Sequence, residues 1–485
     1  MLDRWFRFEE NRTTLARDAM AGVTTFIVMS YIIFVNPQIL GFAGVPGLEG
    51  TGLPFDAVLT STCLVAGVMT IAMGVLTNRA FAIAPGLGLN AVVAFSLVAG
   101  EGLSFPEAMG IVVMEGILVV LLVLLGLREA VMRAIPLALK KAIAIGIGLF
   151  IAFIGLFNSG LVVRGEATPV ELTSFTTWPV LVTLFGLVLT VALRAIGFRG
   201  DLLVGIVATT AFATILNYAT DVYPEDGPAW ARWPDDLAQS PDLSLVGEIS
   251  FDSFATIGIV ATIAWIFSLF LADFFDTMGT LVGVGNQAGY LDARGEMPGI
   301  RRPLLVDGAA AIVGGAASAS SATTYIESAS GVGVGGRTGF VSVVTGALFF
   351  PFMFLAPLIG MVPPQATAPA LIIVAWLMIS VLTESEEAAE IEELGAITEE
   401  PGTSRWKLAG IDFHDVAIGL PAALVLIMMP FTFSITNGIG FGFIAYVLIR
   451  IAQGRARLVH PLMYAAALAF TLYFLVPLFQ EQGWV

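Results

Sequence analysis

Charge is scarce in this sequence: only 12% of its 485 residues are Asp, Glu, Lys or Arg, where soluble domains carry roughly 25%. That excludes a water-soluble globule. Cysteine is scarcer still, since Cys63 stands alone inside an apolar run, so no intrachain disulfide can form and redox chemistry says nothing of the compartment. The only histidines, His414 and His460, fall at the ends of apolar runs. No cysteine–histidine constellation for an intramembrane enzyme exists. Glycine patterns such as GVGVGG lack the strand–helix setting of a nucleotide loop. The first eighteen residues are charged and amphipathic, with neither a short apolar core nor a small-residue cleavage site, so no signal peptide is predicted and the first apolar run directs insertion.

What is abundant is apolar: 57% of the chain is hydrophobic. Runs of about 20 residues, enough to cross roughly 30 Å of hydrocarbon as helices, fall at 17–40, 57–76, 80–98, 106–126, 137–158, 178–197 and 201–220, then at 254–283, 303–318, 321–336, 338–360, 365–383, 413–432 and 434–452. The pattern predicts an all-α integral membrane protein of about fourteen spans. A further run at 461–480 is either a fifteenth span or a surface helix. With residues 1–16 in the cytoplasm, every Lys and Arg falls inside except Arg164 and Arg232, as the positive-inside rule requires. The net charge of -16 is concentrated at 221–248 and 384–400, in loops that read as solvated: an extracytoplasmic one over 221–253 and a cytoplasmic one over 384–412.

Two of the runs are poor helices. Residues 80–90, AFAIAPGLGLN, carry Pro85, Gly86 and Gly88 in mid-span, and residues 318–336 are rich in Ser, Thr and Gly around Glu327. Broken backbone at membrane depth is tolerated only where protein or a watery cavity satisfies the freed groups. The two breaks occupy the third and tenth spans, seven apart, as a seven-plus-seven inverted repeat would have it, and such paired breaks point to a transporter's substrate site. A shift of 237 residues lays Asn36 on Asp273 and Asn90 on Glu327.

Carboxylates within spans cost at least about 2.5 kcal/mol each and ask for a reason. Asp273 and Asp276 share one helix face at i, i+3 in the eighth span, and Glu327 follows Thr323, Thr324 and Tyr325 in the tenth. Glu115, in the fourth span, reads as a packing residue. Such a site suits a neutral planar ligand rich in N–H donors, with Tyr325, Phe274 or Phe275 as stacking candidates; an anion would meet three carboxylates. A continuous polar pore, which a channel needs, is not evident in spans rich in Ala, Gly and Leu.

The segments GVTTFIVMSYIIFVNPQIL, FAIAPGLGLNAVVAF, KKAIAIGIGLFIAFIGL, FFDTMGTLVGVGNQAG, TTYIESASGVGVGGRTG, TAPALIIVAWLM and MMPFTFSITNGIGFGFIAYV resemble, in this order, the adenine, guanine and hypoxanthine permeases of the nucleobase-ascorbate transporter superfamily. The resemblance implies a core domain of spans one to four and eight to eleven (17–126 and 254–360) moving against a gate domain of spans five to seven and twelve to fourteen (137–220 and 365–452), commonly as a homodimer. By motif, Glu327 matches the base-binding glutamate, Asp273 and Asp276 the two acidic residues of the eighth span, and Asn90 the polar residue of the third. Substrate binding is therefore expected at Glu327, Asp273, Asn90, Thr324 and Tyr325, and proton coupling at Asp273 and Asp276. The function so implied is import of purine bases by proton symport across the plasma membrane, with lipid, substrate and a second copy as partners, no nucleic acid, and no cofactor beyond the coupling ion. Sodium as that ion, and uracil or xanthine as cargo, stay open on the sequence. Sulfate-type anion transporters share the fold but typically end in a soluble domain, whereas this tail is apolar.

Overall fold

The computed structural model describes residues 2–481 except 46, 49, 128–133, 166, 224–229, 293–296, 394–406 and 409–410. Residues 224–229 of the predicted extracytoplasmic acidic loop and most of the cytoplasmic one, Arg405 among them, therefore lie outside the described residues, as do Arg128, Arg133 and Arg294 elsewhere. Among those described, eight helices are long and apolar enough to cross a membrane: Leu15–Leu40, Phe55–Thr77, Phe105–Leu124, Leu137–Asn158, Trp178–Ala195, Asp201–Thr220, Gly258–Ala288 and Ile435–Ala452. Five shorter apolar helices accompany them. Several predicted spans are shorter for a visible reason. The 338–360 run breaks at its prolines into Gly339–Ala347, the 3-10 turn Phe350–Phe354 and Ala356–Gly360, because proline removes a helix donor and clashes with the preceding turn. The helix Pro364–Glu393 instead outruns its predicted end at 383. The run at 461–480 is helical, as Pro461–Glu481, and packs on Ile435–Ala452 and Gly258–Ala288.

The two broken spans meet. Ile83–Pro85 and Ala322–Thr324 are three-residue strands, paired antiparallel with Ile83 opposite Thr324 and Ala84 opposite Thr323. Gly86 N–H donates to Ser321 at 2.8 Å and Tyr325 N–H to Ala82 at 2.9 Å, which extends the ladder at both ends. Side chains complete it: Thr70 Oγ1 both donates to the Ile83 carbonyl (2.8 Å) and accepts from its N–H (2.9 Å), and Ser328 Oγ accepts from Ala82 N–H at 2.9 Å. Backbone that would be ruinous in lipid is thus satisfied by protein. Each strand leads into a short helix, Leu87–Ala91, continued by a π-helical stretch Val92–Gly100, and Ser328–Gly333.

Close helix approach fixes this crossing in place. The Phe55–Thr77 and Gly339–Ala347 helices touch backbone to backbone at Gly74 and Gly339, where a Cβ on Gly339 would lie 1.9 Å from the Gly74 carbonyl oxygen. Small residues are what permit such contacts between membrane helices. Gly339→Val is expected to destabilise the protein by more than about 1–3 kcal/mol, the usual cost of overpacking, because the obstacle is backbone and cannot rotate away. The check is the temperature at which detergent-solubilised protein aggregates on size-exclusion chromatography; an unchanged value would mean that the two helices can part freely.

Candidate substrate cavity

A cavity of about 520 Å³, open solvent at its mouth included, lies beside the strand pair. Its polar wall is Tyr31, Asp276, Thr324, Tyr325 and Glu327; Gly86–Leu89 supply backbone, and Ile147, Ile151, Val374 and Met378 an apolar face. Tyr31 O–H donates to Glu327 Oε1 at 2.6 Å, and the Tyr31 and Tyr325 ring centroids stand 6.5 Å apart, inclined at 32°. Tyr325 O–H is itself tied to the Pro85 carbonyl at 2.5 Å, so its ring is held by the opposite strand. Glu327 is 6% exposed, and a carboxylate that accepts one hydrogen bond still has lone pairs for a ligand's N–H.

Of the residues singled out from the sequence, Glu327, Asp276, Thr324 and Tyr325 line this cavity together. Asp273 and Asn90 do not, and neither do Phe274 and Phe275. Phe274 packs against Phe270 and Phe275, whose ring in turn lies 5.9 Å from the Lys140 ammonium. Both Asn90 amide atoms and both Asp273 oxygens are buried without a hydrogen bond of ordinary geometry, although Thr323 and Glu115 lie near enough to Asp273 to act on it. The predicted correspondence of Asn36 with Asp273 is not one of environment: Asn36 donates to Thr62 Oγ1 at 2.8 Å and to the Ala319 carbonyl at 3.1 Å.

Behind the Ala322–Thr324 strand sits a residue the sequence reading passed over. Asp307, from the Arg301–Ala316 helix, accepts from Thr324 N–H (2.8 Å), Thr324 Oγ1 (2.7 Å) and Thr277 Oγ1 (2.7 Å), while Thr277 and Thr323 hydroxyls lie 2.6 Å apart. It pins the strand to the helix that bears Asp273 and Asp276. Its signal was an acid within the predicted ninth span, by the same criterion that picked out the others. Tyr31 was also passed over, as one aromatic among many in a first span whose hydroxyl partner lies 296 residues away.

A polar cavity enclosed by apolar helices of membrane-crossing length, at the junction of two interrupted segments, is the architecture of a membrane-embedded solute carrier. Residues 17–389 match the model of the Permease family, and the chain belongs to that family. It is 37% identical to "Adenine permease AdeP" of Escherichia coli (strain K12), over 97% of this chain and 95% of that one. It is 36% identical to "Guanine/hypoxanthine permease PbuG" of Bacillus subtilis (strain 168), over 97% and 99%. The fold is similar to the transmembrane domain of the cyanobacterial bicarbonate transporter BicA, with a TM-score of 0.55 at 15% identity over 88% of this chain and 96% of that domain. At that identity the likeness concerns fold alone.

Proposed function

We propose that this protein imports purine nucleobases by proton symport, binding the base in the cavity around Glu327. The observation that carries the reading is the cavity itself: a buried carboxylate, oriented by Tyr31, flanked by the Tyr31 and Tyr325 rings. A purine offers ring and exocyclic N–H donors for the carboxylate and a planar face for the rings. The names of the relatives, adenine and guanine/hypoxanthine permeases aligned almost end to end, support the same cargo. The polar lining comes from the segments assigned to a core domain, 17–126 and 254–360, and the apolar face from 137–220 and 365–452, assigned to a gate. Sliding of an apolar gate over a polar site would expose the base alternately to either side. The reading includes fourteen spans in a seven-plus-seven repeat, a cytoplasmic N-terminus, a plasma-membrane location and a homodimer. Within it Glu327, Asp276, Thr324 and Tyr325 contact the base, Asn90 and Asp273 act from just behind, and Asp273 with Asp276 couples transport to the proton.

The test is uptake of labelled adenine, guanine, hypoxanthine, xanthine and uracil by proteoliposomes, with and without an imposed proton gradient. Concentrative purine uptake that needs the gradient is expected; uracil or xanthine as the better cargo, or flux indifferent to the gradient, would overturn it. Tyr31→Phe removes the hydroxyl that orients Glu327 and is expected to weaken purine binding about tenfold, near the lower end of what a hydrogen bond to a charged group contributes. Equilibrium competition with labelled hypoxanthine measures it. Wild-type affinity in Tyr31→Phe would remove that contact from the site.

A further inference from the structure

We propose that Asp273 and Glu115 together hold one proton in an enclosed carboxyl pair, on the far side of the Ala322–Thr324 strand from the cavity, and that through this pair Asp273 takes its part in coupling. The proposal rests on the symport reading and adds a residue, Glu115, that would otherwise be packing.

Asp273 is 0% exposed and so is Glu115. Both oxygens of Asp273 and Oε1 of Glu115 lack a hydrogen bond, and the one partner of Glu115 is Ser321, whose Oγ lies 3.2 Å from Oε2. The charged groups that act on Asp273 are Glu115, Asp307 and Asp276, all acidic. Two adjacent buried carboxylates without a cation are untenable, because each carries several kcal/mol of desolvation and they repel one another. A proton resolves both costs: one carboxyl becomes neutral and donates its O–H to an oxygen of the other, as a short charge-assisted bond. Asp307 does not compete for it, since donors already occupy both its oxygens. Asp276 lines the cavity, where ligand or water can reach it.

The pair is linked to the cavity through one strand. Ser321 and Thr323, two residues apart and so on one side of the extended segment, face Glu115 and the Thr277 hydroxyl beside Asp273. The next residue, Thr324, lines the cavity, as does Glu327 beyond it. Loss of the proton would leave two repelling charges against this strand, and a small displacement of Ser321 and Thr323 would be passed directly to the base-binding residues.

The test uses the full chain in proteoliposomes. Infrared titration should show, in the wild type at neutral pH, a protonated buried carboxyl band that is absent from both Glu115→Gln and Asp273→Asn. In transport, Glu115→Gln should lower hypoxanthine accumulation under a proton gradient at least tenfold while hypoxanthine exchange at equal pH stays within about twofold of wild type. A merely structural glutamate would lose both activities together, or neither, and keep the band. Persistence of the band in Glu115→Gln would mean that Asp273 holds its proton alone, and undiminished accumulation would mean that Glu115 takes no part in coupling; either overturns the pair. If wild-type protein carries no purine at all, the symport reading fails on its own, and the infrared comparison still decides whether the two carboxyls share a proton.

Discussion

Glu327→Gln should reduce purine affinity by one to two orders of magnitude while leaving insertion and folding intact. The substitution preserves shape but turns one carboxylate oxygen into an amide donor and removes the charge. A hydrogen bond to a charged group contributes about 1.5–3 kcal/mol, which at 1.4 kcal/mol per decade is a ten- to hundredfold change. The geometry makes the effect large. Tyr31 O–H donates to Oε1 at 2.6 Å, so the amide must turn its carbonyl either to Tyr31 or to the base, and in the first case it presents N–H to N–H. Binding of labelled hypoxanthine to purified protein, beside its chromatographic profile, separates lost affinity from lost folding. Unchanged affinity would remove Glu327 from the site.

Asp307→Asn should be at least as damaging, and by a different route. Asp307 does not itself line the cavity, yet it satisfies the Thr324 N–H, the Thr324 hydroxyl and the Thr277 hydroxyl at once. An amide accepts at only one of its two ends, so with its carbonyl kept on Thr324 the Thr277 hydroxyl must turn round to accept, and the charge that strengthened all three bonds is lost, at a cost of about 1–3 kcal/mol. The tie of the strand to the Gly258–Ala288 helix is thereby weakened, and Thr324 and Glu327 are held less firmly in position. Both melting temperature and purine affinity are expected to fall, the affinity by more than tenfold, and Asp307→Glu should not rescue either because its longer side chain cannot meet all three donors. A variant that melts like wild type and binds purine normally would show that the strand is held by its own pairing alone.

Much of this architecture is written in the apolar runs, because lipid forces each segment either to close its own backbone hydrogen bonds or to be rescued by protein. The rescue could be anticipated at Pro85–Gly88 and around Glu327, where helix propensity fails, but its form could not. A pairing of Ile83 with Thr324 joins residues more than 240 apart through three-residue strands, too short to show any alternation. Glu327, Asp276, Thr324 and Tyr325 were legible because acids and polar clusters are costly in spans. Asp273 shows the limit of that logic: its spacing puts it on one helix face with Asp276, but only the packing of the Phe105–Leu124 helix brings Glu115 to it. Likewise, nothing local distinguishes Tyr31 from the many aromatics that only fill space.

The central claim, that a purine occupies this cavity, is tested most directly by protection of an introduced cysteine. Cys63 is fully buried, so Met378→Cys, on the apolar wall, would provide a reactive thiol within the cavity, with Leu243→Cys, in an exposed loop, as the control. Hypoxanthine is predicted to slow maleimide labelling of Met378→Cys at least tenfold and to leave Leu243→Cys unaffected. Equal labelling of Met378→Cys with and without saturating purine, in protein shown to bind it, would contradict the account.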